Sequence, residues 1–383
     1  MKIAMIGHKR IPSREGGVEI VVEELSTRLI KMGHQVTAYN RWGKNVADKN
    51  ADRDKQKLKS YKGIKLVRIP TPDSKKLNAV IYSFLATLHA VFSNYDVIHY
   101  HAEGPCAFLL IPHFFGIRTI ATIHGLDWQR GKWGGFASRF LKFGEKIAAR
   151  YADEVIVLSR NVQQYFLDNY NRETIYIPNG VNESEYIEPQ IIKEKYGLEK
   201  DKYILFLARL VPEKGVHYLL NAFKKVDTDM KLVIAGGASH SSDYVEQITA
   251  LAAKDDRVIM TGFVQGRLLE ELMSNCYLYV LPSDIEGMPI SLLESMSYGN
   301  RCLTSDISEN TEAAKDNSLY FKKSDIKDLR DKLEQAINDP SLFKTSEEIK
   351  DYCRNRYDWN KVTGASLRIY IDSILNVERI RAV

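Results

Sequence analysis

The sequence predicts an α/β protein of two doubly wound domains facing across a cleft, each a parallel sheet with helices on both faces. Three observations predict it. Short apolar runs alternate with helical-period stretches along almost the whole chain, which is the pattern of βαβ units. The alternation breaks once, at Pro178-Asn179-Gly180 and the polar stretch 182–202, and then restarts. At 383 residues the chain is too long for one ordinary core and suits two.

In the first half, residues 2–6 form a short apolar strand. Val18, Val21, Val22, Leu25, Leu29 and Ile30 then recur at helical spacing through 16–32, and Gly33 supplies a stop. Strands are expected at 35–39, 65–69, 97–100, 119–123 and 154–158, and an apolar helix at 78–92. After the break, strands at 203–208, 231–235, 258–261, 277–281 and 301–304 alternate with helices at 216–223, 242–253, 268–274 and 290–298. Helices follow at 325–338 and 346–357. A last amphipathic helix has no strand after it, so it can return to brace the first domain. The expected organisation is residues 1–180, residues 181–357, and a helix 358–383 packing on the first domain. Ligands of such sheets bind at the carboxyl ends of the strands.

Hydrophobic content of 44% and charged content of 27% are those of a soluble globular protein rather than a disordered one. No apolar run reaches the roughly 18 residues that span a bilayer. The start, MKIAMIGHKR, reads as a strand and a polar loop rather than a signal peptide, so a cytoplasmic protein is expected. Cys106, Cys276, Cys302 and Cys353 are far apart and read as reduced thiols. Charge is unevenly spread. Residues 1–180 hold 27 Lys and Arg against 16 Asp and Glu, and the remainder holds 27 against 33. A basic first half implies an anionic partner: a membrane surface, a phosphorylated acceptor or nucleic acid. The alternative reading of the same excess is a merely solvated lysine-rich loop at 44–62. The apolar stretches 78–92 and Phe114-Phe115 are candidate lipid-facing surfaces, although 78–92 suits a core helix equally well.

The chemistry-bearing residues follow strands. Arg209 and Lys214, in LARLVPEKG, can neutralise a leaving diphosphate, the Arg bidentately and the Lys as a compact charge. Glu286 and Glu294, in DIEGMPISLLES, can hold hydroxyls, with Glu294 about two turns into a helix. Gly287, Met288, Pro289 and Ile290 make the turn into that helix. The Met288 and Ile290 N–H groups favour an anion there, and Pro289 suits the first helical turn. Gly16-Gly17 opens the first helix and lets a phosphate approach; Glu19, one turn in, is a candidate for an acceptor hydroxyl or an ordinary helix-start acid. His124 and Asp127 follow the strand at 119–123. Trp128, Arg130, Lys132 and Trp133 come next, aromatic faces for sugar and cations for phosphate or headgroups.

ARLVPEKG, the GFV at 262–264, EGMPISLLE with its two glutamates eight apart, and IPNGV at 177–181 resemble the retaining glycosyltransferases of family 4, with the GT-B fold. The resemblance covers nearly the whole chain. SREGGVE and HGLDWQRGKW are similar to a bacterial subgroup that includes rhamnosyltransferases of capsule and cell-wall polysaccharide assembly. The resemblance implies that Arg209 and Lys214 hold the donor diphosphate, Glu294 the ribose hydroxyls, and Glu286 and His124 the transferred sugar. It places Gly16 and Gly17 near the donor phosphates and Val264 on the base through its backbone; Gly287, Met288 and Pro289 line the sugar. Met288 stands where typical members carry a bulky aromatic, which leaves the donor sugar open. The family implies no metal or other cofactor, and Asp227-Thr228-Asp229 lies in a turn ahead of a strand.

The expected activity is a metal-independent transfer of hexose from a nucleotide-diphosphate sugar to a glycan or lipid-linked acceptor. Rhamnose from dTDP-rhamnose is the lead and a UDP-sugar a close second. Peripheral contact with an anionic membrane is expected, on the inner face of the plasma membrane. The alternatives are a nucleotide-sugar epimerase or phosphorylase on the same fold, and a non-catalytic sugar- or nucleic-acid-binding protein. Nucleic acid is disfavoured because only Tyr61 interrupts the basic stretch 44–62.

Overall fold

The computed structural model describes residues 1–43, 58–74, 77–129, 135–237 and 242–381. The chain divides into two compact units. Met1–Asn179 with Trp359–Val383 make the first, and Gly180–Asp358 the second.

The first unit is built on strands β1 (Lys2–Ile6), β2 (Gln35–Trp42), β3 (Ser60–Tyr61), β4 (Ile64–Pro70), β5 (Val97–His101), β6 (Arg118–Ile123), β7 (Glu154–Val157) and β8 (Ile175–Tyr176). They form one sheet in the order β3-β4-β2-β1-β5-β6-β7-β8. All pairs are parallel except β3 with β4, a hairpin that closes at Lys62-Gly63 and that the alternation did not announce. Two residues are too few to show a period. β1 is central, so Ile3, Ala4, Met5 and Ile6 are all buried, which is why it reads as a continuous apolar run. Its helices are α1 (Gly17–Lys31), α2 (Asn78–Val91), α3 (Glu103–Cys106), α4 (Leu110–Phe114), α5 (Phe136–Tyr151) and α6 (Arg160–Tyr170), the last capped by the Ser159 side chain on the Val162 N–H.

The second unit has a six-stranded, wholly parallel sheet of β9 (Tyr203–Leu207), β10 (Lys231–Ala235), β11 (Val258–Gly262), β12 (Leu278–Leu281), β13 (Cys302–Ser305) and β14 (Leu319–Phe321), in the order β11-β10-β9-β12-β13-β14. Helices α7 (Ile191–Tyr196), α8 (Val216–Phe223), α9 (Ser242–Ala252), α10 (Arg267–Asn275), α11 (Ile290–Ser297), α12 (Ser308–Ala314), α13 (Ile326–Asn338) and α14 (Ser346–Arg356) surround it. Asp325 caps α13, and Thr345 with Glu348 forms a capping box on α14.

The chain ends in α15 (Trp359–Arg381), which belongs to the first unit. Tyr370 is buried against β5, where its hydroxyl lies 2.7 Å from His99 Nδ1. The Arg28 guanidinium of α1 lies over the Trp359 ring. No described helix is long and apolar enough to cross a membrane.

Candidate active site

In the second unit the strand order reverses between β9 and β12, the position where open α/β sheets bind ligands. The loops leaving those two strands are clamped together. Gly215 has φ +67°, and a Cβ there would collide with the Pro282 carbonyl oxygen, so only glycine lets the loops approach this closely. The Asp284 N–H donates to the Glu213 carbonyl at 2.9 Å. The Asp284 carboxylate accepts from the Tyr218 hydroxyl at 3.0 Å and from Ser324 Oγ at 2.6 Å. Sequence reasoning did not single out Asp284, although it lies two residues before Glu286.

Across this seam the Lys214 ammonium forms an ion pair with Glu286 Oε1, which also accepts from Ser283 Oγ at 2.7 Å. Both side chains are largely buried. The sequence reading gave Lys214 to a phosphate and Glu286 to a sugar; the fold makes them each other's partner. Arg209 lies half-buried in the same loop. That loop is tied to the exit of β10 by the Leu210 N–H, which donates to the Gly237 carbonyl at 3.0 Å. Val264, just past β11, is buried. Arg209, Lys214, Val264 and Glu286 therefore share the carboxyl edge of one sheet.

Two expectations about α11 are corrected. Pro289 is its N-cap, at φ −78° and ψ 91°, rather than part of its first turn. Its carbonyl takes the Leu292 and Leu293 N–H groups at 3.1 and 3.2 Å, so the helix starts at Ile290. Glu294 consequently sits about one turn into α11, not two. Gly287, Met288 and Ile290 are buried beside it. The buried Tyr279 hydroxyl, 2.8 Å from Ser291 Oγ, was not anticipated. Burial pushes its pKa up, with Cys302, Glu286 and Glu294 adding to the shift.

In the first unit the order reverses between β1 and β5. Asn40 of β2 pins the loop after β1: its Oδ1 takes the Ile11 N–H at 3.0 Å and lies 3.0 Å from His8 Nε2. Gly16 caps α1 in an extended conformation, and Gly17 is the first helical residue. Glu19 folds back on that helix start and accepts the Lys9 N–H at 2.8 Å, so one of its oxygens already serves the loop.

His124, at the exit of β6, is buried with Nε2 3.1 Å from His101 Nδ1. His101 stacks on His99 at 4.1 Å, and His99 Nε2 lies 2.7 Å from Thr122 Oγ1. The alternation His99, Tyr100, His101 puts both imidazoles on one face of β5. That signal was present in the sequence and was not read. Burial holds His8 down to about 4 and His99 down to about 3. Burial and the neighbouring imidazoles hold His101 well below the ordinary value.

These shifts set the acid stability. Below about 6.5 the unfolded chain binds protons on these histidines that the native state refuses, so stability falls as pH falls. The loss continues to about pH 4 for His8 and about 3 for His99. Denaturant unfolding followed by circular dichroism between pH 7 and 5, where most carboxylates stay ionised, is expected to show a loss of about 1.4 kcal/mol per pH unit for each such histidine below its unfolded pKa. A flat profile in that window rejects the neutral-histidine row.

Asp127 and Trp128 lie in a 3-10 turn, Asp127–Gln129, after β6. The expectation of an open Trp128 stacking face is corrected. Lys142 sits 4.0 Å over its ring, and its indole N–H donates to the buried Glu145 at 3.0 Å. Arg130, Lys132 and Trp133 lie outside the described residues, as does most of the 44–62 stretch; Lys62 at its end pairs with Glu23 at 2.9 Å. Asp227 and Asp229 lie ahead of β10, at the opposite end of the sheet from Lys214. Among the described residues no group of three His, Cys, Asp or Glu side chains is placed to hold a metal.

Two family models tile the chain. "Glycosyltransferase Family 4" matches residues 15–185, and "Glycosyl transferases group 1" matches 189–356. The chain is a GT-B glycosyltransferase. The enzyme is 25% identical over 368 residues to the uncharacterized glycosyltransferase MJ1178 of Methanocaldococcus jannaschii, a match covering 93% of this chain and 94% of that one. It is 23% identical to the alpha-maltose-1-phosphate synthase of Mycolicibacterium smegmatis, covering 97% and 99%. Among solved structures, sucrose-phosphate synthase from Thermosynechococcus elongatus superimposes with a TM-score of 0.82 at 20% identity, covering 97% and 98%. Anabaena HepE in complex with UDP and glucose superimposes with a TM-score of 0.79 at 17% identity, covering 97% and 100%. These likenesses establish the two-domain fold of the glycosyltransferase.

Proposed function

We propose that the enzyme is a retaining, metal-independent hexosyltransferase acting on a nucleotide-diphosphate sugar, with a glycan or lipid-diphosphate-linked acceptor of cell-surface polysaccharide assembly. A deoxythymidine donor carrying rhamnose is the lead, and a uridine donor the close second. The observation that carries this reading is the Lys214–Glu286 pair at the strand-order reversal, with Arg209 in the same loop. Lys214 and Arg209 hold the donor diphosphate and neutralise the charge that grows on it as the sugar departs. Glu286 orients Lys214 and accepts from a hydroxyl of the transferred sugar, while Glu294 accepts from the ribose. Gly16 and Gly17 let the donor phosphates approach α1. His124, held in place by His101 at 3.1 Å, donates to or accepts from the sugar. Asp127 and Arg130 serve the acceptor.

In the front-face route the C1–O bond to the diphosphate breaks and the acceptor oxygen bonds to C1 from the same side. The hydroxyl proton passes to the leaving phosphate oxygen. The products are a nucleoside diphosphate and the extended glycan.

Thermal unfolding with deoxythymidine, uridine, guanosine and adenosine diphosphates tests the donor assignment. At a hundredfold excess over Kd a ligand stabilises by about 2.7 kcal/mol, roughly 5–10 °C for a unit of this size. One base is expected to give that shift in wild type and none in Arg209→Ala/Lys214→Ala. A shift that survives the double substitution removes these residues from the donor site.

A further inference from the structure

We infer that the outer face of α2, α4 and α5 docks on an anionic lipid bilayer. This deepens the proposed lipid-linked acceptor by naming the surface that meets the lipid. The three helices lie side by side. Phe84 of α2 is 5.5 Å from Phe108, which is 6.3 Å from Phe140 of α5. Phe92, just past α2, is 6.1 Å from Phe115, just past α4. Three rings clustered at one end of it are strongly exposed, Phe114 at 80%, Phe92 at 78% and Phe115 at 62%, and Phe136 at 72% opens the far end of α5. Such a concentration of bare aromatic surface marks an interaction site rather than ordinary surface.

Charge selects the partner. The exposed positions of α5 recur on one side and carry Phe136, Phe143 and the cations Arg139, Lys142, Lys146 and Arg150. Its only acid, Glu145, is buried on the other side. Neither α2 nor α4 contains an acid or a Lys or Arg. The three helices therefore offer phenyl rings and four cations with no exposed carboxylate of their own, which is the chemistry of an interfacial helix on anionic headgroups. A nucleic acid would engage the cations but leave the Phe92, Phe114 and Phe115 tip in water. α5 begins just after the Trp128 turn and Lys142 reaches back over that ring, so a docked α5 keeps the exit of β6 close to the headgroups.

The test is flotation of the full chain with phosphatidylcholine vesicles, with and without phosphatidylglycerol. Wild type is expected to float only with the anionic vesicles. A surface cation contributes about fivefold, so Lys146→Glu/Arg150→Glu should weaken partitioning by at least about tenfold. Phe114→Ser/Phe115→Ser should weaken it comparably. Both variants should keep the wild-type unfolding midpoint and the nucleoside diphosphate shift, which separates this inference from the donor site and from misfolding. Equal binding to neutral vesicles, or binding untouched by both pairs, overturns it. So does a wild-type dimer that the phenylalanine pair dissolves, since a second copy would then own the face.

Discussion

Lys214→Ala is expected to lower turnover by about 10²–10³-fold, the cost of removing one preorganised group that stabilises developing transition-state charge. The ammonium has two jobs in the fold. It crosses the seam between the β9 and β12 loops to reach Glu286, and it points a cation at the reversal of strand order. Removing it leaves Glu286 Oε1 with the hydrogen bond from the Ser283 hydroxyl, at 2.7 Å, and without its cation. The resulting strain on a largely buried acid should cost about 1–3 kcal/mol of stability, far less than the loss of activity. The two contributions separate in steady-state kinetics. If the cation acts on the departing diphosphate, kcat falls while KM for donor changes little; if it only binds ground-state donor, KM rises with kcat intact. Glu286→Gln keeps the hydrogen bond from Ser283 and weakens the hold on Lys214, so it should fall between wild type and Lys214→Ala. Lys214→Ala turnover within threefold of wild type rejects the assignment.

Much of the architecture was legible because each sheet is parallel and covered, so its strands are continuous apolar runs separated by periodic helices. The boundary was marked by Pro178, Asn179 and Gly180, which cannot continue either period. What escaped was short or non-local. The Ser60–Tyr61 strand has no room for a pattern. Pro289 could be placed in the turn before α11 but not assigned to cap or first turn, because that depends on its ψ. In the site, Lys214 and Glu286 were legible as chemistry and illegible as a pair, since 72 residues separate them and only the β9–β12 neighbourhood joins them. Asp284 and Tyr279 were missed for the same reason, since their partners come from other elements, whereas His101 was readable from its alternation with His99 and was passed over. Trp128 was read as an open platform because nothing local shows that a lysine 14 residues on covers its ring.

Glu145→Leu is expected to be the most damaging single change in the first unit, lowering stability by about 3–5 kcal/mol. In the sequence Glu145 stands beside Lys146 in an amphipathic helix and reads as a solvated charge. In the fold it is fully buried and gathers three donors: the Trp128 indole N–H at 3.0 Å, the Tyr165 hydroxyl at 2.8 Å and the Tyr170 hydroxyl. Burial raises the pKa of both phenols, and their hydrogen bonds to Glu145 raise it further, so both remain protonated donors at neutral pH. Leucine matches the helix and the burial but takes the acceptors from all three donors at once, and each such loss is worth about 1–3 kcal/mol, discounted because the tyrosines are only half-buried. Glu145→Gln keeps one acceptor oxygen and should cost less than half as much. Because the same carboxylate anchors the turn carrying Asp127 and Trp128, Glu145→Gln should raise KM for acceptor while leaving the nucleoside diphosphate shift unchanged. Equal unfolding midpoints for wild type and Glu145→Leu would show that water replaces the carboxylate without cost, and the anchoring role would fall with it.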